Sequence, residues 1–234
     1  MKLFSKLLVL AILMTSSSVF AAGYIATYSV KVSDSAKFVD EMDALMASDW
    51  GKSFPADVSI ISYAFNGYDD ATHGVVMNYE SDEDMANGTS SFYQPVFAEF
   101  LQKISSVSEP VEQSLNVKLI SGGNSDPEKN QVYMIYRMKV KDPAGYAKAY
   151  SKIVKAAEEA GNMEGSYGLR AQMAGNNNYY SHYAFTGASS MESLITSTLE
   201  LQGSDDFKEF SEPVTGNREI IQTSIGVVIK IYPK

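Results

Sequence analysis

The chain has 234 residues, a formal charge of −9 and no cysteine. The missing cysteines exclude disulfides, thiolate catalysis and sulfur-held metals, and the acidic balance removes any general attraction for nucleic acid or anionic lipid. A chain of this length can bury one large core or two small ones.

The first residues read as a bacterial export signal. Lys2 and Lys6 supply positive charge, Leu7 to Met14 an apolar stretch, and Val19-Phe20-Ala21 a cut site. Eight apolar residues in a row fall short of the ~20 that span a bilayer. Residues 1–21 are therefore expected to be removed after Ala21. That leaves no membrane attachment, and the expected location is periplasmic or secreted. Subtracting Lys2 and Lys6 from −9 gives the mature chain a charge of −11.

Beyond the signal the chain repeats itself. Tyr28-Ser29-Val30-Lys31-Val32-Ser33-Asp34 returns as Tyr136-Arg137-Met138-Lys139-Val140-Lys141-Asp142, an offset of 108. Each copy opens with an alternating strand and a helix-capping aspartate, with Pro143 at the first helical position of the second copy. Phe38, Met42, Leu45 and Met46 then answer to Tyr146, Tyr150, Ile153 and Val154, the apolar stripe of an amphipathic helix. Second strands are predicted over Val58–Phe65 and Tyr167–Met173, with turns at Gly67 and Gly175. Third strands follow over Gly74–Tyr79 and Tyr180–Phe185. Ser81-x-x-Asp84 and Ser189-x-x-Glu192 have the form of capping boxes. The helix after the first carries Phe92, Val96, Phe97, Phe100, Leu101 and Ile104; the second is broken at Gly203. Last strands run over Gln113–Ile120 and Gln222–Tyr232. The expected organisation is a first repeat over 22–121, a linker over 122–131 and a second repeat over 132–234.

The order βαββαβ, twice, is that of tandem ferredoxin-like units of the α+β class. With that order the chain resembles the dimeric α+β-barrel superfamily, which includes the antibiotic-biosynthesis monooxygenase-like proteins. The resemblance implies two sheets closing into one barrel, here within a single chain. It leaves function open, because that superfamily includes oxygenases, haem enzymes, isomerases and proteins without known activity.

Strand alternation sorts the side chains by face. In the second copy Met134, Tyr136, Met138 and Val140 are expected beneath the helices and Arg137 inside the barrel. Matching Gly67 to Gly175 sends Arg170 and Gln172 inward, and matching Ser181, Tyr183 and Phe185 to Val75, Met77 and Tyr79 sends Tyr180 and His182 inward. Arg137, Arg170, Gln172, Tyr180 and His182 would then share one cavity, where the first copy has Ser29, Ser62, Ala64, Gly74 and Val76. Few carboxylates fall on that inward phase. The two arginines either pair with carboxylates at the barrel rim, which is the expected arrangement, or receive an anionic or carbonyl-bearing small molecule.

His182 is the candidate for a general base or a haem ligand, against a structural, hydrogen-bonded role. His73 is expected to be exposed in a hairpin, and Trp50 to serve as a hydrophobic lid or core residue. No HExxH spacing, P-loop, EF-hand loop or nucleophile elbow occurs, so no metal and no cofactor is indicated. The acidic run Asp82-Glu83-Asp84 suits a helix N-terminus. Three readings of function follow. The first is an exported binding or accessory protein with a ligand in the second repeat. The second is a cofactor-independent oxygenase-like enzyme acting on an aromatic or carbonyl compound. The third is a structural or interaction protein with a filled barrel.

Overall fold

The structure is a computed structural model that describes residues 23–175 and 178–234. The expected export signal and part of the Asn176-Asn177-Asn178 turn lie outside those residues. The first half consists of β1 (Tyr24–Val32), α1 (Ser35–Ala47), α2 (Asp49–Lys52), β2 (Asp57–Phe65), β3 (His73–Tyr79), α3 (Asp82–Ser91), α4 (Pro95–Ile104) and β4 (Ser108–Gly123). A short 3-10 turn at Pro127–Lys129 leads into the second. That half consists of β5 (Val132–Val140), α5 (Pro143–Glu159), β6 (Ser166–Ala174), β7 (His182–Ala188), α6 (Met191–Gly203), α7 (Asp205–Val214) and β8 (Arg218–Tyr232).

The local signals explain the helix starts. Asp34 and Asp142 accept from the backbone N–H of Lys37 and Gly145, and Ser81 from that of Asp84. The acidic run occupies the first turn of α3, where the helix dipole favours it. One expected helix is two: α3 ends before Phe92 and α4 restarts at Pro95, whose missing N–H is harmless at that position.

The strands close into one antiparallel barrel in the order β1-β3-β2-β8-β5-β7-β6-β4. Each half supplies four neighbouring strands, and the ladders β2–β8 and β4–β6 join the halves. Closure leaves no free sheet edge. The helices lie outside, over two large apolar clusters and a smaller one of Val132, Ala188 and Leu194. The first centres on Phe38, Met42, Trp50, Ile60 and Tyr79, the second on Met138, Tyr146, Tyr150, Leu169 and Phe210. Tyr28 and Tyr136 hold equivalent places, the first opposite Val75 and Gln113, the second opposite Ala184 and Thr223.

The offset between halves is not constant. Ile60 pairs with Val75 as Leu169 pairs with Ala184, an offset of 109. Val32 pairs with Ser108 as Val140 pairs with Arg218, which makes it 110 in the last strands. Each added residue is absorbed in a loop between elements. A change of one in a strand exchanges its two faces, and that decides where the candidate residues point. The shift also makes Ser190, not Ser189, the cap of α6.

Candidate functional site

Arg137 does point into the barrel, but it arrives with partners. Its Nη1 donates to Gln222 Oε1 at 2.8 Å and lies 3.4 Å from Asp69 Oδ2 and 3.7 Å from Glu112 Oε2. Its guanidinium covers the Tyr180 ring at 5.5 Å. Both carboxylates come from the first half, so inspection of the second half's inward phase could not find them. Burial works against the charge. Tyr63, Glu112, Tyr180 and Asp69 outweigh it and lift the Arg137 pKa. Burial also raises the pKa of Glu112, with Arg137 opposing.

Arg170 is inward as well, yet not on a strand next to Arg137. β7 runs between them, and Tyr183 faces Arg137 on one side and Arg170 on the other. Among the described residues Arg170 has no carboxylate within ion-pair distance. It donates to the carbonyls of Ile120 and Leu169 and lies over Phe185 at 5.1 Å. Burial lowers its pKa. Gln172 is inward, and among the described residues neither of its amide atoms has a hydrogen-bond partner. The first-half counterparts of Arg170 and Gln172 are Ile61 and Tyr63, not Ser62 and Ala64, because of the offset of 109.

His182 is a correction. β7 begins there rather than at Tyr180, and His182 pairs with Met138 on the helix-facing side. Tyr183 and Phe185 take the inward places. Tyr180 still reaches the interior from the loop before the strand, where it meets Arg137; Arg170 and Gln172 face inward on β6 without contacting that pair, and the histidine faces the helices. His73 is the first-half counterpart of His182 and is buried, not exposed. Thr72 Oγ1 accepts from Val32 N at 2.8 Å and meets His73 Nδ1 at 2.8 Å. Ser181 Oγ does the same for Val140 N at 3.0 Å and His182 Nδ1 at 2.9 Å. Each hydroxyl accepts from a backbone N–H, and the direction of its contact with the ring Nδ1 depends on the ring's tautomer. Burial lowers both histidine pKa values. These are structural histidines.

The open space lies elsewhere. Between the first-half helices and the outer sheet face is a cavity of about 410 Å³, within the range of small-molecule sites. Its wall is apolar and aromatic. Trp50 stacks on Phe54 at 4.7 Å and on Phe97 at 5.3 Å, and Phe92 stacks on Phe97 at 4.6 Å, with interplanar angles of 24°, 25° and 29°. Trp50 Nε1 donates to Ser91 O at 3.0 Å, which fixes the indole plane. Met42, Met77 and Val58 line the inner wall, and Leu101 of α4, Ser105 just after that helix and Val111 of β4, all exposed, its mouth. Tyr28 brings a hydroxyl. Burial alone pushes its pKa up, so it stays protonated and able to donate. In the sequence, Trp50 reads as a lid or core residue; the near-parallel planes come from two helices, α2 and α4, and from the turns that carry Phe54 and Phe92.

A closed barrel of two βαββαβ halves with helices outside defines the dimeric α+β-barrel fold, here complete within one chain. Solved structures share it. A proposed monooxygenase from Fusobacterium nucleatum matches with a TM-score of 0.61 at 15% identity, covering 92% of this chain and 96% of its own. A second proposed monooxygenase, from Lactobacillus acidophilus, matches at 0.58 and 11%, covering 91% and 96%. A haem-binding protein from Thermus thermophilus matches at 0.52 and 11%, covering 90% and 92%. At these identities the likeness is one of fold. No protein-family model matches the chain, and no curated protein does.

Haem does not fit the residues present. Its iron is held in proteins by histidine, cysteine, methionine with histidine, or tyrosinate. The cavity wall has no histidine, its single phenol Tyr28 is held protonated, and the chain has no cysteine.

Proposed function

We propose that this is an exported small-molecule-binding protein whose ligand, a planar and largely apolar molecule, occupies the first-half cavity between helices and sheet. One observation carries the reading: an aromatic slab of near-parallel rings lining about 410 Å³ of space. Parallel rings favour a ligand that offers a flat π-face, since offset stacking adds about 0.5–1.5 kcal/mol beyond area burial. The barrel interior is less suited than the second-repeat reading expects, because Arg137 already has protein carboxylates. Binding is favoured over turnover. The cavity's Tyr28 is a poor base while protonated, and both histidines face other neighbours. The names of the fold neighbours are compatible with an aromatic ligand, and the charged N-terminal segment with export.

Trp50 is the chain's one tryptophan and forms part of the wall, so its emission reports on the cavity. Titration of the mature protein with N-phenyl-1-naphthylamine should quench Trp50 saturably at one equivalent. The absence of saturable quenching by this probe, by 2-naphthol and by haemin would sink the proposal. Saturation by haemin alone, with a Soret shift, would replace the apolar-ligand reading with a haem one.

A further inference from the structure

The first half has a cavity between helices and sheet, and at its rim the place of Ser108 is taken in the second half by a charged residue. Ser108 and Arg218 stand at equivalent places, opposite Val32 and Val140 at the start of their last strands. Ser108 lines the first cavity and turns its hydroxyl back to Ile104 O at 3.0 Å. Arg218 instead lays its guanidinium over Phe210 at 5.0 Å and over Tyr146 at 5.7 Å, and donates to the Tyr146 hydroxyl at 2.9 Å. Those two rings are the counterparts of Phe100 and Phe38, which line the open cavity in the first half. The guanidinium thus fills the space that a ligand would take.

What remains outside it is a groove of about 320 Å³ between α5 and α7, reaching Ile153 and Phe210. Ile153 is the counterpart of Leu45, another wall residue of the first cavity. Tyr150 and Tyr167, in the places of Met42 and Val58, narrow the second space further. Among the described residues no carboxylate pairs with Arg218, so ring faces and one phenol hold it. Cation–π contacts of a partly exposed guanidinium are weak compared with a buried ion pair.

We infer that the second half contains a second site for the same class of planar apolar ligand, closed by Arg218 acting as a plug. The inference rests on the reading of the first-half cavity as a ligand site. Removing the plug leaves no buried charge unpaired, so Arg218→Ser is expected to fold.

Equilibrium dialysis of the mature chain with N-phenyl-1-naphthylamine, with Trp50 emission followed in parallel, tests it. The unsubstituted protein should bind one equivalent. Arg218→Ser should bind two, the second more weakly, while Trp50 quenching still saturates with the first. Ser108→Arg, which sets the plug into the first half, should retain native circular dichroism and lose Trp50 quenching at least tenfold in affinity. One equivalent bound by folded Arg218→Ser, two by the unsubstituted protein, or undiminished quenching in Ser108→Arg would each overturn the plug. If Arg218→Ser fails to fold, the Ser108→Arg arm decides. An unsubstituted protein that binds nothing refutes the first-half reading, a result distinct from all three.

Discussion

Replacing Arg137 by methionine keeps most of the buried stem and removes only the charge. The two carboxylates left behind are scarcely exposed, at 13% for the Asp69 side chain and 15% for Glu112. At the observed 3.4 and 3.7 Å each attraction is gross about 4–5 kcal/mol at an effective dielectric near 20. Desolvation of the guanidinium offsets much of this, and cases in which one partner of a buried pair is removed cost about 3–5 kcal/mol. Arg137→Met should therefore lose about 3 kcal/mol at pH 7, read from urea unfolding midpoints at unchanged m. The loss should shrink on acidification. Burial holds the folded Glu112 pKa above its unfolded value, and Arg137 is what opposes that rise. Without Arg137 the folded carboxyl binds its proton at still higher pH, so protonation favours the folded variant as pH falls. Arg137→Met with Glu112→Gln should regain at least about 1 kcal/mol over the single variant. A cost under about 1 kcal/mol with no pH dependence would refute the ion-pair account and return Arg137 to the role of an unpartnered ligand-binding group.

Both histidine rings should titrate below the ordinary histidine pKa in NMR spectra of the folded protein, since burial disfavours their charged forms. Their contribution to stability should be present above the unfolded-state pKa and fall as pH drops through the folded values; a ring titrating above pH 7 would contradict the burial assigned to it. Gly88→Ala should destabilise by about 1–3 kcal/mol, because a Cβ there would come 2.5 Å from the buried Tyr79 ring; a neutral result in thermal unfolding would show that the ring can yield. N-terminal sequencing of protein recovered from the periplasm or medium should begin at Ala22, and a chain retaining Lys2 and Lys6 would contradict export with cleavage.

The sequence by itself determined the architecture. The returning Tyr-x-Val/Met-Lys-Val strand, the capping aspartates at 34 and 142 and the matched helical stripes define two βαββαβ halves, because periodicity and capping act over a few residues of contiguous chain. It also placed Arg137, Arg170, Gln172 and Tyr180 toward the interior. The register of β7 was not legible. Matching Tyr183 and Phe185 to Met77 and Tyr79 implies an offset of 106, whereas the third strands are offset by 109; the difference is odd, so the strand turns over and His182 lies on the helix side. Only the closed barrel brings Asp69 and Glu112 of one half to Arg137 of the other, 68 and 25 positions away along the chain. Only helix packing turns Trp50, Phe54, Phe92 and Phe97 into one wall. Pair partners and cavities depend on distance in space, and an amphipathic pattern gives the face a side chain takes but not what it meets there.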